Sequence, residues 1–284
     1  MKLSVTTYSF GHYVNDLGIL GVVDKAAEMG FAGIEFTENA SWSKDLDLDV
    51  AKSIREHCDE KGLEVVAFCI GANFLTDNLD AEIARVKKNV DFAAALGAKN
   101  MRHDMGYGYP AAKKINRSFD DALPTFVKAT REIADYAESK GVGTMSENHG
   151  YFSQDANRVE KLVNAVAHPN FGALVDIGNF MCADEDPVVS VGIMAPYAKH
   201  VHAKDFFWKS GMDINPGEGW FRTRAMNYLR GAIIGQGVAK VYQSIQILKN
   251  AGYDGYVTVE FEGMEDNLKG IRVGKDNLAR FING

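Results

Sequence analysis

Four short segments in the second half of the chain place acids or imidazoles where an extended run stops. They are Thr144-Met145-Ser146-Glu147-Asn148-His149, Leu174-Val175-Asp176-Ile177-Gly178-Asn179, His200-Val201-His202-Ala203-Lys204-Asp205 and Val257-Thr258-Val259-Glu260-Phe261-Glu262. Glu147, Asp176, His202 and Glu260 together make a donor set for one hard or borderline divalent cation. Mn²⁺ is the first choice, with Mg²⁺, Co²⁺ or Zn²⁺ as alternatives. Burying three carboxylates without a cation would be costly. Four donors leave coordination positions free for a carbonyl and a neighbouring hydroxyl of a small substrate. Two choices stay open at this point. His200 alternates in phase with His202, and Glu262 shares a face with Glu260. Arg102, His103, His149, Lys204 and Trp208 are the candidate substrate contacts.

The elements that must position these residues follow from a repeated joint. A helical pattern, then Gly, then an apolar run occurs at Gly30, Gly62, Gly97, Gly141 and Gly252. Gly suits the left-handed position that ends a helix. The strands expected are Leu3–Tyr8, Gly33–Thr37, Glu64–Ile70, Asn100–His103, Gly143–Glu147, Ala173–Asp176, His200–His202 and Tyr256–Glu260. Helical stripes lie between them. One is Ile83, Val86, Val90 and Ala94. Another is Leu123, Phe126, Val127, Ile133 and Ala137, with Ser118 and Asp121 as a capping box. Alternating strands and helices fit a closed barrel or an open doubly wound sheet. No G-x-G-x-x-G follows an early strand, which favours the barrel. The expectation is a single (β/α)8 TIM barrel domain over residues 1–284. Its catalytic face is the rim where strands end. The four acid- and His-bearing ends then share one arc of that rim.

Residues 206–232 read as a long loop insertion after the seventh strand, rich in aromatics. They are a candidate lid or subunit contact, or rings packed on the barrel top. Gly235-Gln236-Gly237 lies where barrels often bind phosphate, but reads first as a plain turn.

Composition narrows the function classes. The chain has 284 residues, of which 46% are hydrophobic, enough for a sizeable core. Lys+Arg 31 against Asp+Glu 38 gives a net charge of −7, a poor match for a phosphate backbone, so nucleic acid is not an expected partner. No apolar run approaches a membrane span, and no secretion signal opens the chain. Cys58, Cys69 and Cys182 form no C-x-x-C and read as reduced thiols of a cytoplasmic protein.

The segments Glu147-Asn148-His149-Gly150, Val175-Asp176-Ile177-Gly178-Asn179, Val201-His202-Ala203-Lys204-Asp205 and Glu260-Phe261-Glu262-Gly263 resemble a known family. It is the sugar phosphate isomerase/epimerase group of the xylose isomerase-like TIM barrels. The resemblance spans essentially the whole chain. Members include ketose 3-epimerases, hydroxypyruvate isomerase and inosose dehydratase. The resemblance implies that Glu147, Asp176, His202 and Glu260 bind the metal, and that Glu147 and Glu260 act as the acid/base pair. It also implies a homo-oligomer, dimer or tetramer. Two positions depart from the ketose 3-epimerase pattern. Asn179 stands where those enzymes usually have His, and Ser153 where they have a second Glu. Endonuclease IV is a more distant relative, and seven scattered histidines do not match its three-metal cluster.

The function expected is a divalent-metal-dependent isomerase or epimerase acting on a sugar or related polyhydroxy carbonyl compound. It would work by proton transfer through a metal-stabilised enediolate. One alternative is a lyase of the inosose dehydratase type, with Lys204 or His149 protonating the leaving hydroxyl. A glycoside-cleaving variant acting through an oxidised sugar is of the same chemical kind. The non-catalytic alternative is a barrel that binds a sugar without turnover.

Overall fold

A computed structural model describes all residues, 1–284. Each of the five repeated glycines sits at positive φ, between 70° and 86°. Each turns the chain out of a helix and towards the next strand. The first seven strands are β1 (Lys2–Thr6), β2 (Gly33–Thr37), β3 (Glu64–Ile70), β4 (Asn100–His103), β5 (Gly143–Glu147), β6 (Phe171–Asp176) and β7 (Ala198–Ala203). Three further strands, β8 (Asp205–Lys209), β9 (Phe221–Arg222) and β10 (Tyr228–Ala232), follow before β11 (Tyr256–Val259). Strand β11 pairs in parallel with both β7 and β1 and closes the barrel. The long helices between strands run over Tyr13–Glu28, Leu48–Lys61, Leu79–Leu96, Phe119–Ser139, Ala156–Val166, Pro187–Met194, Val241–Asn250 and Asn267–Asn283. The helix at Phe119–Ser139 starts with the expected capping box of Ser118 and Asp121. No helix is long and apolar enough to cross a membrane.

The apolar packing divides unevenly. A cluster of 64 buried residues includes the residues between the strands and the surrounding helices. A separate cluster holds only Ala67, Cys69, Met145 and Leu174, from alternating inward positions of β3, β5 and β6. Much of the remaining interior is polar. Ser4 Oγ meets Thr258 Oγ1 at 2.7 Å, and Thr258 Oγ1 meets His200 Nε2 at 2.7 Å. His200 Nε2 lies 3.1 Å from Glu35 Oε2, which also accepts from His202 Nε2 at 2.8 Å. This buried column rises along the barrel to the level of the candidate metal ligands. A hydrogen-bonded column satisfies polar groups that the interior would otherwise leave unpaired.

Residues 206–232 are only partly irregular: turns at 210–220 and 223–227 separate three short strands. With Asp205 they form an antiparallel three-stranded sheet in the order β8-β10-β9. Its strands are short and follow a stretch already extended, so the sequence shows no fresh period. Phe206 is fully buried, so part of the insertion does pack on the barrel top. The sheet is latched to the rim: Asp184 accepts from Thr223 Oγ1 (2.7 Å) and Asn227 Nδ2 (2.9 Å), and Tyr151 Oη donates to Arg222 O (2.7 Å). The Gly235–Gly237 turn has an internal occupant. Asp205 accepts from the amides of Gly235, Gly237, Ala239 and Phe206, each at 2.9 Å.

Candidate metal centre and active site

Strands β5, β6, β7 and β11 lie side by side in the barrel wall. Inward alternation at their C-terminal ends brings Glu147, Asp176, His202 and Glu260 together. One ligand atom from each lies within 4.8 Å of the other three, and all four residues are buried. His202 Nδ1 is 3.7 Å from both Glu147 Oε1 and Asp176 Oδ2, and it contacts Glu260 Oε2. His202, not His200, is therefore the imidazole at this level; His200 sits one layer deeper in the polar column.

The donor set fits a divalent cation. Glu147 Oε2, Asp176 Oδ2, His202 Nδ1 and Glu260 Oε2 are buried and lack a well-aligned hydrogen-bond partner. Arg102 and Lys204 lie beside two of these atoms as ion-pair partners, yet four acceptor groups still converge on one point, an arrangement that could hold a cation. Oxygen-rich donors with one imidazole suit Mn²⁺, Mg²⁺ or Co²⁺ and also accept Zn²⁺.

The opposite wall supports these donors. Glu35 on β2 is fully buried and accepts a hydrogen bond from His202 Nε2 at 2.8 Å, which leaves Nδ1 facing the carboxylates. Burial alone would raise the Glu35 carboxyl, but His202 and His200 outweigh it and hold it well below the usual range. Burial likewise works against His202 protonation, yet Glu35 and Glu260 raise its pKa well above the ordinary value. Arg102 on β4 pairs with Glu147 Oε2 at 3.0 Å and with Asp104 Oδ1 at 3.2 Å. Burial raises the Glu147 carboxyl, and Arg102 opposes part of that rise. Asp104 is buried as well, but Arg102 and His149 bring it down to about 2.

Lys204 is buried just above β7. Its ammonium lies 3.1 Å from Glu260 Oε1, 3.2 Å from Asp176 Oδ2 and 3.1 Å from Asn179 Oδ1. Desolvation disfavours its charge, but the surrounding carboxylates outweigh this and keep it protonated. Asn179 Nδ2 donates to Glu147 Oε1 at 3.0 Å, so this residue bridges Lys204 and Glu147. Asn148 and Asp176 exchange two hydrogen bonds, which fixes the ends of β5 and β6 to each other. His149 pairs with Asp104 at 3.2 Å and faces the cavity; burial would lower its pKa, but Asp104 raises it. Ser153 faces the backbone of His149 in an isolated bridge.

Two sequence candidates lie elsewhere. His103 points outward from β4 into the layer under the helices, near the rings of Phe74 and Phe171. It neighbours Arg102 in sequence, and strand alternation sends the two side chains to opposite faces. Trp208 is 48% exposed on β8 and is not among the residues lining the cavities around the metal ligands. Sequence reasoning missed Glu35 and Tyr8. An acid in the middle of the apolar run Gly33-Ile34-Glu35-Phe36 was the available signal for the first. Nothing local marks Tyr8, which follows β1 at the mouth.

Comparison with known proteins agrees with this fold. The chain is 23% identical to the inosose dehydratase of Bacillus thuringiensis (strain Al Hakam) over 246 residues, covering 83% of this chain and 80% of that protein. A D-psicose 3-epimerase from Clostridium cellulolyticum H10, solved with D-tagatose, superposes with a TM-score of 0.76 at 16% identity, covering 99% of each chain. The IolI protein with a bound zinc atom superposes with a TM-score of 0.76 at 18% identity, covering 100% of this chain and 98% of that one. At such identities the structural likeness speaks for the fold. The model of the xylose isomerase-like TIM barrel family matches residues 23–281. The chain belongs to the xylose isomerase-like TIM barrel family.

Proposed function

We propose that this protein is a divalent-metal-dependent isomerase or epimerase of a polyhydroxylated carbonyl compound, acting by proton transfer beside the carbonyl. The observation that carries this reading is the convergence of one ligand atom each from Glu147, Asp176, His202 and Glu260 within 4.8 Å at one end of the barrel. A divalent ion held by these four residues, Mn²⁺ in first place, supplies a Lewis acid for the carbonyl and hydroxyl oxygens of the substrate. Glu147 and Glu260 come from different strands, β5 and the end of β11, and both line the same small cavity. One takes the α-proton as the electron pair moves to the carbonyl oxygen. The other returns a proton at the neighbouring carbon or on the opposite face. Arg102 holds Glu147 in place, and Lys204 offers a fixed positive charge near the developing oxyanion.

A dehydratase reading has separate support. The curated relatives are named inosose dehydratase, and Asn179 and Ser153 stand where ketose 3-epimerases usually carry His and Glu. In that reaction the same α-proton leaves, the carbon–oxygen bond of a β-hydroxyl breaks, and His149 delivers the proton that makes water.

The test is proton NMR in D₂O with Mn²⁺-loaded protein and a panel of ketoses, keto-inositols and their methyl and benzyl ethers. Deuterium entering an α-carbon, and stopping on chelation, is the expected result. Loss of water from the product selects the dehydratase. Absence of exchange across the panel overturns both readings in favour of a sugar-binding barrel.

A further inference from the structure

Candidate ligands line an inner cavity that adjoins a larger outer space of different character. The inner cavity, about 170 Å³, is lined by Glu35, Arg102, Glu147, His202 and Glu260 among others. The outer one, about 480 Å³, shares Tyr8, His149, Lys204 and Glu262 with it and adds Tyr107, Tyr151 and Phe221. The outer volume falls in the range of roughly 300–1,000 Å³ usual for small-molecule sites, and the inner one falls below it. A small polyol suits the inner cavity alone, which leaves the larger space for something else.

The chemistry of the outer wall says what that is. Its hydrogen-bonding side chains are mostly engaged with the protein. Gln154 accepts from Tyr151 N (2.6 Å) and donates to Asn179 O (2.9 Å). Asn179 is held between Glu147 and Lys204, and the Tyr151 hydroxyl is spent on Arg222 O. Lys204, Glu262 and His149 make a polar corner where the two cavities join; away from that corner the wall offers ring surface, with Tyr8, Tyr107 and Tyr151 51%, 61% and 43% exposed. Large exposed aromatics gathered round one cavity are unusual on a soluble surface and mark a contact site. Gly150, Gly219 and Gly231 keep the wall between them free of side chains. A second sugar ring would need several free donors and acceptors; a flat apolar group needs ring faces.

We propose that the substrate is a polyhydroxylated carbonyl compound bearing an aryl group. Its polyol part occupies the inner cavity, and its aryl ring lies in the outer one against Tyr8, Tyr107, Tyr151 and Phe221. The polyol half rests on the enolisation reading above; the aryl site does not.

The test separates the two. Benzyl alcohol is added to the protein in EDTA and followed by saturation-transfer NMR. Transfer to its ring protons is expected, with a loss of at least ~5-fold in Tyr107→Ala/Phe221→Ala. Tyr107→Leu, at an exposed position, serves if the double variant does not fold. With Mn²⁺ bound, the 1-O- and 6-O-benzyl ethers of D-fructose are compared by calorimetry with the methyl ethers and with the disaccharide ketose isomaltulose. At least one benzyl ether is expected to bind on the order of tenfold tighter than its methyl partner and than isomaltulose. No transfer to benzyl alcohol overturns the proposal. So do benzyl ethers that bind no tighter than the methyl ethers, or isomaltulose binding as well as either benzyl ether. Intact transfer and a benzyl preference without any deuterium exchange overturn the enolisation reading instead and leave the aryl site standing.

Discussion

The two halves of the barrel wall meet at the same depth and contribute different things. Strands β5, β6, β7 and β11 end in Glu147, Asp176, His202 and Glu260, whose inward atoms converge on one point. Strands β2 and β4, with the residue just past β4, present Glu35, Arg102 and Asp104, which pair with that first set or with each other. One arc would offer donors to an ion; the facing arc sets the direction and charge of those donors. The difference teaches where precision in this centre comes from. A ligand set of this kind works only if its partners across the barrel are equally well placed.

The largest expected effect falls on the ligand arc. Glu260→Gln should lose Mn²⁺ binding and proton exchange together, on the order of a thousandfold or more in rate. Electron paramagnetic resonance of free Mn²⁺ and deuterium incorporation measure the two. A fully active variant with unchanged metal content would break the comparison at its base. The supporting arc should respond less. Glu35→Gln should weaken Mn²⁺ binding by about 10–100-fold while the barrel stays folded, as for other partners of metal-bound histidines. A loss as deep as that of Glu260→Gln would make Glu35 a ligand in its own right and erase the distinction between the arcs.

A third prediction concerns the residue that alternation turns away from both arcs. Burial lowers the His103 pKa from 6.5 to about 4. The unfolded chain takes up this proton near pH 6.5, whereas the folded chain resists until about pH 4. The stability contributed is therefore complete above about pH 6.5 and lost progressively as pH falls to 4. The difference corresponds to roughly 3 kcal/mol. His103→Phe should remove this limb, so that urea unfolding at pH 7 and pH 4.5 shows a smaller acid loss than in the parent. An unchanged pH dependence would place the His103 ring in water after all. The smallest effect is expected at Cys58, buried in the helical layer with its thiol pushed up to about 12. Cys58→Ala should leave exchange rates within about twofold; a larger fall would tie the outer layer to the chemistry.

Much of this arrangement is legible in the amino-acid order, and the illegible part has a physical cause. The bounds of β2, β3, β4 and β5 follow from alternation and from the Gly joints, and so does the arc that holds the four candidate ligands. Periodicity gives phase but not depth, so it could not separate His202 from His200 one layer below. It also cannot weigh a single acid: Glu35 reads as any strand residue until β7 is folded beside it. His103 misleads because it adjoins Arg102, and adjacency in a strand means opposite faces. The β8–β10 sheet escapes because β9 is only two residues long and its order comes from side-chain latches at Asp184.

Asp205 has one more consequence. Its carboxylate sits in a ring of four main-chain amides at the Gly235–Gly237 turn, where other barrels would welcome a phosphate. The protein has in effect swallowed its own counter-ion, and no phosphoryl handle on a substrate is needed to complete that corner. Asp205→Gly would leave a vacant anion receptor behind. Added formate or phosphate should then restore part of the lost thermal stability, turning a structural joint into a site that senses small anions.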